Sequence, residues 1–182
     1  MSQLQAVTYH TVKAISSKQW TELECTSNVY FSNKFLKAFE VSNPNIDFKY
    51  IVVSENNNAI ALAIIQTIEL SVDVILKNIK LANWLKKLAH SLFCKKVIKI
   101  MTNGNIFLSG EYGTFLKEGE EKVETFECLA EGIRRLSKSL KRLHGLFVKD
   151  FKNESIYITK HLDKFGYTPM QVEPNMIITL KT

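Results

Sequence analysis

The stretch from Asn103 to Phe115, NGNIFLSGEYGTF, contains the best candidate in this sequence for a loop that binds phosphate. Gly110 and Gly113 lie close together at the end of an apolar run, ahead of a long helical pattern. Glycines at such a place let backbone N–H groups approach the phosphates of a nucleotide or an acyl-CoA. However, Asn103-Gly104 is also a strong hairpin signal, and the following helix starts in a run of glutamates. These features favour a strand that turns at the edge of a cleft.

No other motif in the 182 residues indicates a particular reaction. Cys25, Cys94 and Cys128 are far apart and form no C-x-x-C pair, so neither a disulfide framework nor a metal site is predicted. The first residues show no basic segment followed by an apolar core, and no apolar run is long enough to span a bilayer. We therefore expect a cytoplasmic protein with reduced cysteines.

The net charge of +6 is unevenly distributed along the chain. No acidic residue occurs between Val74 and Gly110, whereas Glu111 to Glu131 contains seven glutamates and two lysines. The lysines of the first, basic segment are Lys77, Lys80, Lys86, Lys87, Lys95, Lys96 and Lys99. They allow three interpretations: the solvated face of a helix packed on a sheet, attachment to the inner face of an anionic membrane, or contact with RNA such as tRNA. No DNA contact is expected.

Periodicity predicts alternating helices and strands in one unit. Trp20–Leu23 is predicted to be a short helical or irregular segment. The predicted helices are one capped by Ser32 and ended by Asn43-Pro44, one over Leu76–Phe93, a long one from Phe126 ended by Gly145, and one from Asn153 to Phe165 ended by Gly166. The predicted strands are Phe48–Val53, Ala59–Leu70, Lys96–Thr102, Ile106–Leu108, Leu146–Phe151 and Val172–Leu180. The first two strands should form a hairpin. We predict an α/β (α+β) fold with a mixed, mostly antiparallel sheet flanked by helices.

Four stretches carry a resemblance to a known family. KQWTEL, VYFSNKFLKAFEVSNP, LFVKDFKNES and FGYTPMQVEPNMIITL, together with the order of elements from about Trp20 to Leu180, resemble the GNAT acyltransferase superfamily. They are closer to its FemAB-like branch, which includes aminoacyl transferases of bacterial peptidoglycan synthesis. The resemblance implies that residues 1-182 form a single GNAT-like domain, one half of a two-unit protein. It also implies a splayed sheet with the acyl donor between the strands near Ile106 and Phe147.

The family's phosphate-binding loop has a different counterpart in this chain. The GNAT loop R/Q-x-x-G-x-G/A holds the pyrophosphate of acetyl-CoA, and the corresponding residues here are Gly110, Glu111, Tyr112 and Gly113. This chain has no G-x-G at that place, and the glutamates that follow repel phosphate. We therefore do not expect acetyl-CoA or another acyl-CoA to bind through this loop, and the cofactor stays unassigned. Gly110, Tyr112 and Gly113 are retained as candidates for binding substrate or cofactor.

The family's frequent general acid is a tyrosine five residues before the aromatic residue of a GF/GY turn. Counting back from Tyr167 gives Leu162, which has no proton to donate. The neighbouring His161 and the preceding Tyr157 are the remaining candidates for proton transfer. This departure leaves catalysis by this unit alone open.

Three further polar residues are binding candidates. Lys149 and Asp150 match the family's Lys/Arg-Asp position, and strand alternation sends them to opposite faces. Asp150 is a catalytic or binding candidate, or it caps the next helix. Asn175 lies where a bulge could direct it into a cleft.

Two functions follow from these observations. The first is a GNAT/FemAB-like N-acyl or aminoacyl transferase unit that acts on an amine of a cell-envelope precursor. The second is a catalytically degenerate GNAT-like module that binds or assembles with a second GNAT-like half or an anionic membrane surface.

Overall fold

A computed structural model describes residues 3–71, 96–119 and 121–171. The strands are β1 (Leu4–Tyr9), β2 (Asp47–Glu55), β3 (Asn58–Ser71), β4 (Val97–Asn103), β5 (Thr114–Leu116) and β6 (Leu143–Val148). The α-helices are α1 (Ser17–Leu23), α2 (Asn33–Ser42) and α3 (Lys122–Ser139). Five short 3₁₀ segments complete the described part: Val12–Ala14, Cys25–Ser27, Val29–Phe31, Ile156–Thr159 and Leu162–Phe165.

The strands form one six-stranded sheet in the order β1-β2-β3-β4-β6, with β5 also paired to β3. Strands β1 to β4 pair antiparallel, and β4 pairs parallel with β6. The chain passes from β4 to β6 through α3, as a parallel connection requires. This arrangement confirms the predicted mixed, mostly antiparallel sheet flanked by helices. The hairpin of β2 and β3 is confirmed as well.

The sheet is covered on both faces. Side chains of β2 and β3 alternate between two buried clusters, one with α1 and α2 and the other with α3. Strand β3 is buried from Ala59 to Thr67 because it contributes to both clusters. Helix α3 places Phe126, Leu129 and Ile133 in the second cluster, fully buried. Within the described ranges, no helix has the length and apolar content needed to cross a bilayer.

Helix α2 begins as its sequence predicts. Ser32 has an extended backbone, and its hydroxyl oxygen accepts a hydrogen bond from the N–H of Phe35 (3.3 Å). Changing Ser32 to Ala is expected to lower the free energy of unfolding by about 1 kcal/mol, because that N–H loses its partner. Chemical denaturation measures this loss. Ser42→Ala, at the other end of the same helix, is the control and should change stability by less than about 0.5 kcal/mol.

Several predicted boundaries are wrong. Residues 106–108 do not form a strand, and β1 was not predicted. Helix α3 ends at Ser139, where Ser137 and Ser139 hydroxyls bond to carbonyls one turn earlier. Gly145 therefore lies within β6 rather than at the end of the helix. The predicted helix over 153–165 is two 3₁₀ segments, although Gly166 has the expected left-handed conformation (φ 81°). The predicted elements at 76–93 and 172–180 lie outside the described residues.

Candidate functional site

Strands β4 and β5 lie end to end along the same side of β3. Asn103, the last residue of β4, pairs with Ile65, and Thr114, the first residue of β5, pairs with Ala63. On β3 only Ile64 separates the two pairings, yet residues 104–113 separate them along the other chain. These residues leave the sheet and return to it as a loop, which we call the 104–113 loop. The two neighbouring segments are therefore one strand with a large insertion.

Two glycines make the base of this loop possible. A Cβ atom on Gly113 would lie 2.5 Å from the Cα of Gly104 and 2.7 Å from its nitrogen, so the two backbones touch. Both glycines bond to Ile64. The N–H of Gly104 donates to the carbonyl of Ile64 (3.2 Å), and the N–H of Ile64 donates to the carbonyl of Gly113 (2.8 Å). The close approach of Gly104 and Gly113 therefore explains why Gly113 must be glycine.

The buried side-chain amide of Asn103 also bonds where the two glycines touch. Asn103 is 1% exposed, and its Nδ2 donates to the carbonyls of Gly113 (2.9 Å) and Ile64 (3.3 Å). Its Oδ1 accepts from the hydroxyl of Thr114 (2.9 Å). The Asn103-Gly104 pair thus closes a loop instead of forming a hairpin turn, because the asparagine side chain binds across the gap.

Lys149 and Asp150, which follow β6, hold the far side of the loop. The ammonium group of Lys149 donates to the carbonyls of Asn105 and Leu108 (3.0 Å each) and pairs with the carboxylate of Asp150. That carboxylate also accepts from the N–H of Gly110 (3.3 Å). The prediction that the two side chains point to opposite faces is wrong. Asp150 has a left-handed backbone (φ 69°), which ends the alternation after Val148.

Glu111 makes a second bridge from the loop. Its Oε1 accepts a hydrogen bond from the N–H of Lys152 (2.8 Å) and another from the hydroxyl of Ser155. Nothing in the sequence pattern indicated this bridge, because Glu111 and Ser155 are distant in the chain. The 104–113 loop and the segment after β6 are therefore joined by two sets of hydrogen bonds, one made by Lys149 and Asp150 and the other by Glu111.

A cleft opens where the parallel strands stop pairing. The pairing of β4 with β6 continues to Asn103 and Val148, and beyond it β5 and the segment after β6 separate around a cavity of about 490 Å³. Gly113, Thr114, Leu116, Phe151, Tyr157 and Ile158 line this cavity. The charged residues at its wall are Glu111, Lys122, Lys149, Lys152 and Glu154. Neither Ile106 nor Phe147, near which the family resemblance implies the donor, lines this cavity, so that position stays a prediction.

The start of α3 lies at the cleft, and one of its N–H groups is already bound by a carboxylate of the chain. Lys122 is the first residue of the helix, and the carboxylate of the preceding Glu121 accepts from the N–H of Val123 (3.2 Å). Glu118 and Glu124 are exposed around the same turn. A second anion at this terminus would be repelled by the capping carboxylate. This capping carboxylate is a physical reason not to expect the diphosphate of an acyl-CoA at the place that the family resemblance implies, and that expectation stays a prediction.

The two candidates for proton transfer lie in different surroundings. Tyr157 lines the cleft and is 54% exposed. His161 is outside the cavity wall: its Nδ1 lies 2.6 Å from Oε2 of Glu127 on α3, and Lys164 approaches the same carboxylate. The hydrogen bond from His161 holds the pKa of Glu127 below its usual value. The geometry therefore favours Tyr157 as the group that can reach a ligand.

The pair of Glu127 and His161 should make stability depend on pH. Because the pKa of Glu127 is lower in the folded chain, its contribution is present above about pH 4.5 and is lost as the pH falls through the folded-state pKa. Glu127→Gln is expected to cost about 0.5 kcal/mol at pH 7, since this pair is partly exposed. Thermal melts from pH 7 to pH 3 should show the difference from the wild type shrinking at the acid end. A constant difference would contradict this assignment.

The remaining predicted site residues either do not line the cleft or lie outside the described residues. Tyr112 packs against Tyr30 in a tilted arrangement with ring centroids 4.2 Å apart, and Gly110 is in the 104–113 loop. Lys99 pairs with Glu69 (2.7 Å), and Lys96 lies just before β4. Asn175 and the other basic residues, Lys77, Lys80, Lys86, Lys87 and Lys95, lie outside the described residues. No pattern in the sequence indicates Lys122, Lys152 or Ser155 as wall residues, because their proximity depends on the course of the chain after β6.

The two described cysteines are poor nucleophiles. Burial raises the pKa of Cys25 to about 11, and burial also raises the pKa of Cys128. Both thiols therefore stay protonated at neutral pH. Among the described residues, no group of three or more His, Cys, Asp or Glu side chains is placed to hold a metal ion.

Comparison with known proteins gives structural neighbours only. No family model matches the sequence, and no curated protein is significantly similar to it in sequence. A possible acetyltransferase from Clostridium difficile 630 is similar in structure, with a TM-score of 0.48 and 9% identity over 98% of this chain and 99% of that chain. The aminoglycoside N-acetyltransferase AAC(6')-Iy, solved in complex with CoA, has a TM-score of 0.48 and 11% identity over 100% of this chain and 96% of that chain. Similarity at this level says nothing about what this chain binds.

Proposed function

We propose that this chain is a GNAT-type N-acyltransferase unit, which moves an acyl group from a donor in the cleft to an amine. The observation that carries the proposal is the cleft itself. It opens where the parallel strands β4 and β6 separate, beside the first residue of the helix that connects them. Open α/β sheets bind their ligands at the carboxyl ends of neighbouring parallel strands. The order of elements around this cleft is the one that the GNAT resemblance implies.

Once both substrates are positioned, the reaction needs few catalytic side chains. The amine nitrogen bonds to the acyl carbon, the bond from that carbon to the leaving group breaks, and one proton passes from the amine to the leaving group. We assign Tyr157 to this proton transfer, because it is the hydroxyl-bearing aromatic residue of the cavity wall. Lys149 acts indirectly: it fixes the 104–113 loop, which contributes Gly113 and Glu111 to the wall.

The acceptor is proposed from the FemAB-like resemblance. That resemblance favours an amine of a cell-envelope precursor as acceptor, an aminoacyl-tRNA as donor, and a second GNAT-like half as partner. It also favours a cytoplasmic protein at the inner face of the membrane. Isothermal titration with charged and uncharged tRNA, using the chain alone and joined to any natural continuation, tests the donor. Equal affinity for the two forms of tRNA would remove the aminoacyl donor from the proposal.

Acyl transfer is tested by mass spectrometry of a defined set of amines. The chain is incubated with acyl thioester and aminoacyl ester donors, and each amine is analysed for the added acyl mass. Transfer above the uncatalysed rate, lost on Tyr157→Phe, is the expected result. Absence of transfer from every donor, with and without any natural continuation of the chain, would rule out catalysis by this unit.

A non-catalytic binding module is the second candidate. The observation in its favour is that Leu162 occupies the position of the family's usual acid and packs against the α3-side core. The capping of α3 by Glu121 points the same way. For an anionic membrane as partner, flotation with anionic liposomes should be sensitive to salt and lost in Lys86→Glu/Lys87→Glu. No flotation would exclude the membrane partner.

A further inference from the structure

We propose that the chain forms a two-fold symmetric dimer, in which strand β1 pairs antiparallel with β1 of a second copy. The inference does not depend on acyl transfer. It rests on two features at one place in the fold: the edge of the sheet at β1, and the exposed charges of α3 beside that edge. The cleft lies at β4 and β6, on the other side of the sheet, so the dimer leaves it open.

Strand β1 has an unprotected edge. Among the described strands it pairs only with β2, so the side of β1 away from β2 presents N–H and C=O groups that no described strand binds. Proteins protect such edges with charged residues, proline or a bulge. The six residues of β1, LQAVTY, include neither a charge nor a proline, and their pairing with β2 has no register shift. This edge is therefore suited to pairing with another strand.

An identical strand fits this edge. A two-fold axis perpendicular to the sheet continues each face of one sheet into the same face of the other, so opposed residues share a face. With the axis at Val7, the two Val7 side chains oppose each other, and Gln5 opposes Tyr9 of the second copy. These pairs place no like charges opposite each other. They also cover Val7, which is 37% exposed in the single chain.

Helix α3 lies close to the same axis. A Cβ atom on Gly132 would lie 3.2 Å from side-chain carbons of both Ala6 on β1 and Ile51 on β2, so the helix lies over the space between these strands. Because neighbouring strands are about 4.8 Å apart, the helix lies about 5 Å to the side of the axis. The two copies of α3 are then about 10 Å apart, within reach of the usual spacing of about 8–10 Å between packed helices. Pairing of the two edges therefore brings the helices together.

The flank of α3 that faces this edge is not covered by the segment after β6. That segment lies against the opposite flank, where Glu127 contacts His161 and Arg134 lies over the ring of Phe165. The exposed charged residues of the helix itself are Glu124, Glu131, Arg135 and Lys138. The acidic ones precede the basic ones along the helix.

This order of charges matches a two-fold axis. The axis relates the two helices as an antiparallel pair, so the acidic half of each faces the basic half of the other. With the centre near Gly132, Glu131 faces Arg135 of the second copy, and the axis repeats the contact. Within one chain these two side chains are 4.0 Å apart and remain 52% and 59% exposed, so both can reach a partner. The strand edge and the helix thus favour the same dimer.

Sedimentation equilibrium of the full chain, from about 1 to about 100 μM, tests the proposal. We expect a monomer–dimer equilibrium with a Kd of about 10 μM or tighter. Val7→Lys places like charges opposite each other and should raise this Kd at least about tenfold, with the fold checked by circular dichroism. Val97→Lys is the matched control, because Val97 is an exposed valine at the start of β4, and its Kd should stay within about twofold.

Charge reversal on α3 tests the same dimer without altering the strand. Arg135→Glu should raise the Kd about tenfold, because the axis repeats the repulsion, and Glu131→Arg/Arg135→Glu should restore it. This exposed position also decides the question if Val7→Lys does not fold. The proposal is overturned if the wild type stays monomeric at every concentration, if a folded Val7→Lys or Arg135→Glu dimerises like the wild type, or if the double variant is no tighter than Arg135→Glu.

Discussion

A single methyl group on Gly113 is expected to destabilise the protein by about 3 kcal/mol, because the added carbon has no space. In Gly113→Ala the new Cβ would lie 2.5 Å from the Cα of Gly104, and backbone atoms at the crossing cannot swing aside as a flexible side chain can. The two segments would have to move apart. This would weaken the hydrogen bonds of Gly104 and Gly113 to Ile64 and those of the buried Asn103 side chain. Denaturant unfolding monitored by circular dichroism measures the loss.

Gly119→Ala is the matched control for the same substitution. Gly119 has a left-handed backbone (φ 84°), but no atom of the described residues lies within 4 Å of an added Cβ. Alanine there should cost only the strain of that conformation, about 1 kcal/mol. Gly113 is the opposite case, with crowding and no left-handed backbone. Equal losses in the two variants would show that the 104–113 loop is not closed by contact between its two glycines.

The elements that the sequence predicted well are those whose pattern is local. The hairpin of β2 and β3 follows from two apolar runs around a polar turn, and α2 follows from its cap and its apolar spacing. Strand β1 was missed because it is short, only partly buried and stabilised by pairing with β2, which is distant in sequence. Local periodicity carries no signal for such a partner.

The candidate site was harder to predict because long-range contacts override local signals there. Asn103-Gly104 has the composition of a hairpin turn, yet the asparagine side chain bonds to carbonyls on β3 and at the far end of the loop. Lys149 and Asp150 were found from the family resemblance, but alternation misplaced them because Asp150 leaves the strand conformation. In both cases the missing information is a contact with the 104–113 loop.

Replacing Tyr157 with Phe is expected to lower the rate constant kcat for acyl transfer by about a hundredfold, which is typical of losing one general acid or base. The substitution removes the phenolic oxygen and leaves the ring. Because the residue is more than half exposed and lines an open cleft, stability should change little. The affinity for donor should also change little, because the aromatic ring stays in the cleft wall. Steady-state kinetics should therefore show a fall in kcat with nearly constant KM.

A series of donors distinguishes proton transfer from a merely structural role for Tyr157. If the phenol delivers the proton to the leaving group, donors whose leaving groups are more acidic need that proton less. The loss caused by Tyr157→Phe should then shrink along the series as the pKa of the leaving group falls. A uniform loss would instead indicate altered positioning. Tyr112→Phe is the control, because Tyr112 packs against Tyr30 and does not line the cavity. The kcat of this variant should stay within about twofold of the wild type across all donors.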